Sequence, residues 1–133
     1  MAEPRSVVVG RWLAAGLFVT VGILHFVRTA SFEAIMPPWI PAHRLCVLIS
    51  GVAEISGGIG LLLPRWRRSA GWGLLALLVA VWPANIHMAI NDVQVPGLPP
   101  APGWALWLRA LAQPLLMLWV WVVARDGGSV ARQ

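Results

Sequence analysis

Residues 45–64 read LCVLISGVAEISGGIGLLLP. Before the closing Pro64 every residue is apolar or glycine, except Ser50, Glu54 and Ser56. At about 1.5 Å of rise per residue, such a segment is a helix that crosses roughly 30 Å of hydrocarbon. Three more segments read the same way: about Val7 to Val27, with Arg11 near its start, about Ala70 to Ile90, and about Trp104 to Val123. Together they predict an all-α fold, a four-helix transmembrane bundle forming one domain over residues 1–133. The opening MAEPRS is too acidic and too short for a signal n-region, so the first span is expected to remain in the bilayer.

Composition agrees. Only 11% of the 133 residues are charged and 59% are hydrophobic, whereas soluble domains carry about 25% charged residues. That excludes a cytosolic enzyme, a disordered chain and a soluble nucleic-acid binder. The single cysteine, Cys46, excludes an internal disulfide, a CxxC pair and a thiolate zinc cluster.

The net charge of +5 comes from arginines at the ends of the apolar runs, and the tryptophans read as an aromatic belt, with Trp39, Trp82, Trp104 and Trp107 on its outer half. This is the pattern of membrane flanks, not of a basic stripe for nucleic acid. Arg5, Arg65, Arg67, Arg68, Arg125 and Arg132 share one side of the bundle, with Arg11 near its boundary. Only Arg28 and Arg44 lie on the other. The positive-inside rule thus predicts a multi-pass protein of the cell membrane with both termini cytoplasmic.

The connections differ in character. Pro64 to Ser69 is a tight turn, making spans two and three a hairpin. The segment TASFEAIMPPWIPAHR, 29–44, is too apolar for a free loop, and three prolines forbid a long helix. It predicts a short interfacial helix and then an extended cap over the bundle mouth, with Trp39 as a candidate lid. The segment NDVQVPGLPPAPG, 91–103, reads as a proline-rich cap without chemistry of its own.

Polar residues within spans face the bundle interior and often mark function. Five stand out: His25, Glu54, Asn85, Arg109 and Gln113. Arg109 and Gln113 are four apart and share a helical face. Glu54 lies on a stripe of small residues with Gly51, Gly57 and Gly58, and so faces a neighbouring helix. His87 is two residues past Asn85, so with Asn85 inward it falls on a seam, which argues against a bis-histidine haem. Cys46 and His43 read as bystanders at the outer interface. Pro83 and Pro114 remove the helical donors to the Val79 and Ala110 carbonyls, leaving polar acceptors beside Asn85 and Gln113. The expectation is an outward-facing polar cavity for a ligand, in which Glu54 either ionises as a pair with Arg109 opposite it or stays neutral, bonded to Gln113 or a backbone carbonyl. The competing reading is a polar core that only fixes helix register.

The ordered strings GILHF (22–26), FEAIMPPWIP (32–41), GVAEISGGIGLLLP (51–64), PANIHMA (83–89) and WLRALAQPLL (107–116) resemble the DoxX-like family of small four-helix membrane proteins. The resemblance spans about residues 10–123 and matches at His25, Pro41, Glu54, Pro83, Asn85, Arg109 and Gln113. It implies work beside membrane quinone and sulfur or thiol redox chemistry. The expected role is a non-catalytic, ligand-binding or accessory subunit, with a quinone-like lipophilic ligand and no covalently bound cofactor. Besides the lipid bilayer, the expected partners are a soluble or membrane redox protein and a further copy of the chain, with no nucleic acid. The alternatives are a membrane scaffold or assembly factor and a proton-coupled exporter, the last disfavoured by the fixed charge of Arg109.

Overall fold

The computed structural model describes residues 2–125 and is helical throughout its regular elements. These are α1 (Arg5–Val27), α2 (Thr29–Ala34), α3 (His43–Leu62), α4 (Arg67–Ile90) and α5 (Gly103–Ala124). The four long helices match the four expected spans to within about three residues at each end. Pro4 immediately precedes α1, and Pro102 immediately precedes α5. At such a start the missing N–H has no helical partner to lose. Pro64 stops α3, since the residue before a proline is driven out of the α region.

All four long helices are long and apolar enough to cross a membrane, which makes the chain a multi-pass membrane protein. Leu13, Leu17, Val52, Ile59, Leu111, Leu115 and Leu118 stand exposed on the outside of the bundle, a surface suited to acyl chains.

The long helices form a closed ring, α1 to α3 to α4 to α5 and back to α1. The α1–α3 seam is the most intimate, and glycine makes it so. A Cβ at Gly22 would fall 2.9 Å from the Gly51 carbonyl oxygen, and one at Gly58 would fall 3.0 Å from that of Ala15. Helices that meet without side chains between them exchange contacts along the backbone itself, which drives association in lipid where no hydrophobic effect operates.

Two apolar clusters fill the ring. Ala14, Phe18, Leu61, Leu74, Leu78, Val120 and Val123 form the larger one, towards the end that carries the termini. Ile35, Met88, Ala89, Leu106 and Ala110 form the other, at the opposite end. Ile35, just past α2, supplies this second cluster from the 29–44 strap. The strap has the expected short helix, but turns and bends through its prolines follow where an extended cap was expected. The Pro37 carbonyl accepts from His43 Nε2 at 3.1 Å, so His43 pins the strap to the start of α3 and is not a mere bystander.

The 91–103 segment is also more ordered than its composition suggests. The Gln94 amide accepts from the Ala101 N–H at 2.8 Å and donates to the Ala101 carbonyl at 3.2 Å, closing the loop like a strand pair.

At the end bearing the termini, Arg11 is buried at 3% exposure, not lodged at a boundary. Its two terminal nitrogens donate to the Glu3 carboxylate at 2.9 and 2.7 Å, and its Nε donates to the Val123 carbonyl at 2.8 Å. Hydropathy missed this, because a charge one turn into a helix looks like an interfacial flank until Glu3 folds back over it.

Candidate functional site

Four of the polar residues singled out above are buried in the ring: His25, Glu54, Asn85 and Gln113. With Arg109 they fall into two groups, a close histidine–carboxylate pair and a hydrogen-bonded relay. The first joins α1 to α3. His25 Nδ1 lies 3.1 Å from Glu54 Oε2 and 2.8 Å from the Val21 carbonyl oxygen. A carbonyl only accepts, so Nδ1 carries a hydrogen directed at Val21. Glu54 Oε2 faces the same nitrogen but receives no hydrogen bond among the described residues. It is a buried carboxyl oxygen with an unmet capacity.

The group facing Glu54 is therefore His25, and neither Arg109 nor Gln113, the two side chains expected to partner it. Helix direction explains the difference. Every Cα–Cβ bond leans towards its helix's N-terminus. On α3 that direction is towards the strap, and on antiparallel α1 it is the reverse. Glu54 leans up and His25 leans down, so residues a turn apart in depth converge. A Cβ at Gly51, one turn from Glu54, would fall 2.8 Å from the His25 Cβ, which shows how little separates the two backbones there.

The second group joins α4 to α5 and runs as a relay. Arg109 Nε donates to Asn85 Oδ1 at 3.0 Å, Asn85 Nδ2 donates to Gln113 Oε1 at 3.0 Å, and Gln113 Nε2 donates to the Leu78 carbonyl at 3.1 Å. Arg109 itself is exposed, and its Nη atoms have no hydrogen-bond partner among the described residues.

The proline-freed carbonyls are treated differently. Ala110, left without a donor by Pro114, accepts from the Trp82 indole N–H at 2.9 Å. Trp82 thus belongs to the interior of the α4–α5 seam, not to an aromatic belt. Across the same seam Gln113 binds α4 at Leu78, one residue from the Val79 carbonyl freed by Pro83.

Trp39 stands apart from the five. It is 68% exposed and packs edge-on against His87, with ring centroids 5.2 Å apart. The residue that covers the histidine is Phe32 of α2, stacked on the His25 ring at 3.9 Å and 21°. Sequence carried a signal for this contact. His25 and Phe32 are seven residues apart, two helical turns, and α2 resumes one residue after α1 ends. His87 is half-buried, with Trp39 edge-on to it and Asn91 Nδ2 3.0 Å from its Nδ1. Among the described residues no cluster of histidine, cysteine and carboxylate side chains is arranged to hold a metal.

Fold and site together define a small multi-pass membrane bundle, with a histidine–carboxylate pair and an amide relay buried beneath a short capping helix. Residues 14–124 match the family described as a domain of unknown function, DUF8561, and the chain belongs to that family. No curated protein and no solved structure matches it.

Proposed function

We propose that this protein is a non-catalytic membrane subunit that binds a small lipophilic ligand of quinone type beside His25 and Glu54, in service of a redox partner. The observation that carries the reading is Glu54 Oε2, a buried carboxyl oxygen without a hydrogen bond. Such a group costs about 1–3 kcal/mol or more where it stays unmet, and a ligand hydroxyl would relieve it. Arg109 offers free donors to a ligand carbonyl, and Phe32 offers an aromatic face. Cys46 is the only thiol, so a dithiol relay would take cysteines from a partner. The resemblance to DoxX-like proteins favours the same quinone-linked setting. The arginine bias favours the cytoplasmic membrane, with both termini inside.

The test is titration of the protein in lipid nanodiscs with a short-chain benzoquinone, read by tryptophan quenching. Saturable quenching is expected for the wild type and its loss in Glu54→Gln, with the helical fold retained. Quenching that only rises linearly in both would overturn the reading.

A second reading, a scaffold with a structural polar core, is favoured by one observation. The relay from Asn85 to Gln113 to Leu78 consumes its own donors and acceptors. Under that reading Glu54→Gln leaves partner assembly unchanged.

A further inference from the structure

The outer wall of the bundle is interrupted on the α3–α4 side by a groove of about 590 Å³. It runs from Ala53 towards the turn at Trp66, at the end that carries the termini. Ser56, Gly57 and Gly60 line it from α3, Ala70 and Gly73 from α4, and Trp66 closes it at the turn between them. Its lining is mostly small side chains, together with Ile59, Leu63 and Leu74, whereas elsewhere the wall is ridged by exposed leucine, valine and isoleucine. At Gly57 and Gly60 the helices touch, since a Cβ there would fall 2.5 Å from Leu74 and 2.6 Å from Ala70. Gly73 is different: a Cβ there would meet nothing within 4 Å.

The charge beside this mouth is one-sided. Of the three arginines flanking Trp66, Arg67 is committed to the Leu61 carbonyl at 3.1 Å and lies 3.9 Å from Glu3. Arg65 is exposed and rests over the Trp66 ring. Arg68 is exposed and has no ion-pair or hydrogen-bond partner among the described residues. An apolar slot between membrane helices, ending in uncommitted cations and an interfacial tryptophan, suits a chain with an anionic head.

The geometry points to one occupant, an anionic phospholipid, with an acyl chain over the open face of Gly73 and its phosphate at Arg65 and Arg68. A second copy of the chain fits worse. Two copies packed symmetrically through this groove would bring their Arg65 and Arg68 to the same depth, and like charges there repel.

Non-denaturing mass spectrometry of the full chain in detergent tests this, with phosphatidylglycerol and phosphatidylcholine of matched acyl chains as probes. The wild type is expected to retain phosphatidylglycerol preferentially. Arg65→Gln and Arg68→Gln should each lower that preference by roughly five-fold while leaving phosphatidylcholine retention alone. Gly73→Leu should fill the slot and lower retention of both lipids, with thermal stability near wild type. Equal retention of the two lipids by the wild type overturns the proposal. So does unchanged retention in Gly73→Leu, or a change in that variant confined to the oligomeric state. The arginine variants keep the test decisive should Gly73→Leu fail to fold.

Discussion

The Trp82 indole donates to the Ala110 carbonyl at 2.9 Å, the one carbonyl of α5 that Pro114 leaves without its helical donor. A gap in one helix's hydrogen bonding is thus filled by a side chain of its neighbour, and the bond is specific to one atom. Removing the indole N–H with Trp82→Phe keeps the aromatic bulk but leaves that oxygen unmet in a water-poor interior. A loss of about 1–2 kcal/mol is expected. Pro114→Ala restores a backbone N–H to the same carbonyl, so the double variant should recover most of the loss. Reversible unfolding in detergent, run as a double-mutant cycle, measures both.

The glycines of the α1–α3 seam are not equivalent to those on the lipid side. Gly22→Ala would force a methyl against the Gly51 carbonyl and Ile55, and overpacking of this kind costs about 1–3 kcal/mol. Gly16→Ala meets nothing within 4 Å and should be neutral, or stabilising by up to about 1 kcal/mol through helix propensity. Comparing the two melting curves isolates close approach from propensity.

In the amide relay, Asn85 is the member with a partner on both sides. Asn85→Leu strands Arg109 Nε and Gln113 Oε1 together and should cost about 1–3 kcal/mol. Gln113→Leu on top of it removes one of the stranded groups. The pair should therefore be less destabilising than the sum of the singles, by about 0.5–3 kcal/mol. Strict additivity would show that the relay is not a unit.

The Glu3–Arg11 pair makes the most severe single prediction. With Glu3→Ala the guanidinium keeps the Val123 carbonyl but loses both carboxylate bonds. A buried charge stripped of its partner costs about 3–5 kcal/mol, lessened here because Glu3 is part-exposed. Adding Arg11→Leu should restore much of the stability, since a charge-free pair leaves nothing to compensate. Thermal unfolding of the two variants checks this.

Much of this architecture was legible in the sequence because a bilayer imposes length and polarity rules that survive without knowledge of packing. The spans followed from apolar runs, and the strap from its prolines. The inward choice of Asn85 over His87 followed from helical phase. Partner choice was not legible. Polarity offered Arg109 or Gln113 to Glu54 and depth set His25 in the outer third, yet the lean of side chains on antiparallel helices sends Glu54 to His25. Depth counts made Arg11 a flank and Trp82 a belt residue. Each acquires its contact from a segment far away in the chain, Val123 for one and Ala110 for the other, and local pattern says nothing about such meetings. For Trp39 the strap was foreseen but not its register, which puts Phe32 over His25 instead.

The hydrogen bond between Arg11 and Val123 joins residues 112 positions apart. In a chain emerging from the ribosome, the first helix enters the translocon long before the acceptor in the last one has been synthesised. Until then that arginine has no carbonyl from the final helix, and the nascent bundle stays incomplete. A product truncated before residue 123 would keep this mark permanently, giving membrane proteases a local feature by which to tell aborted copies from finished ones.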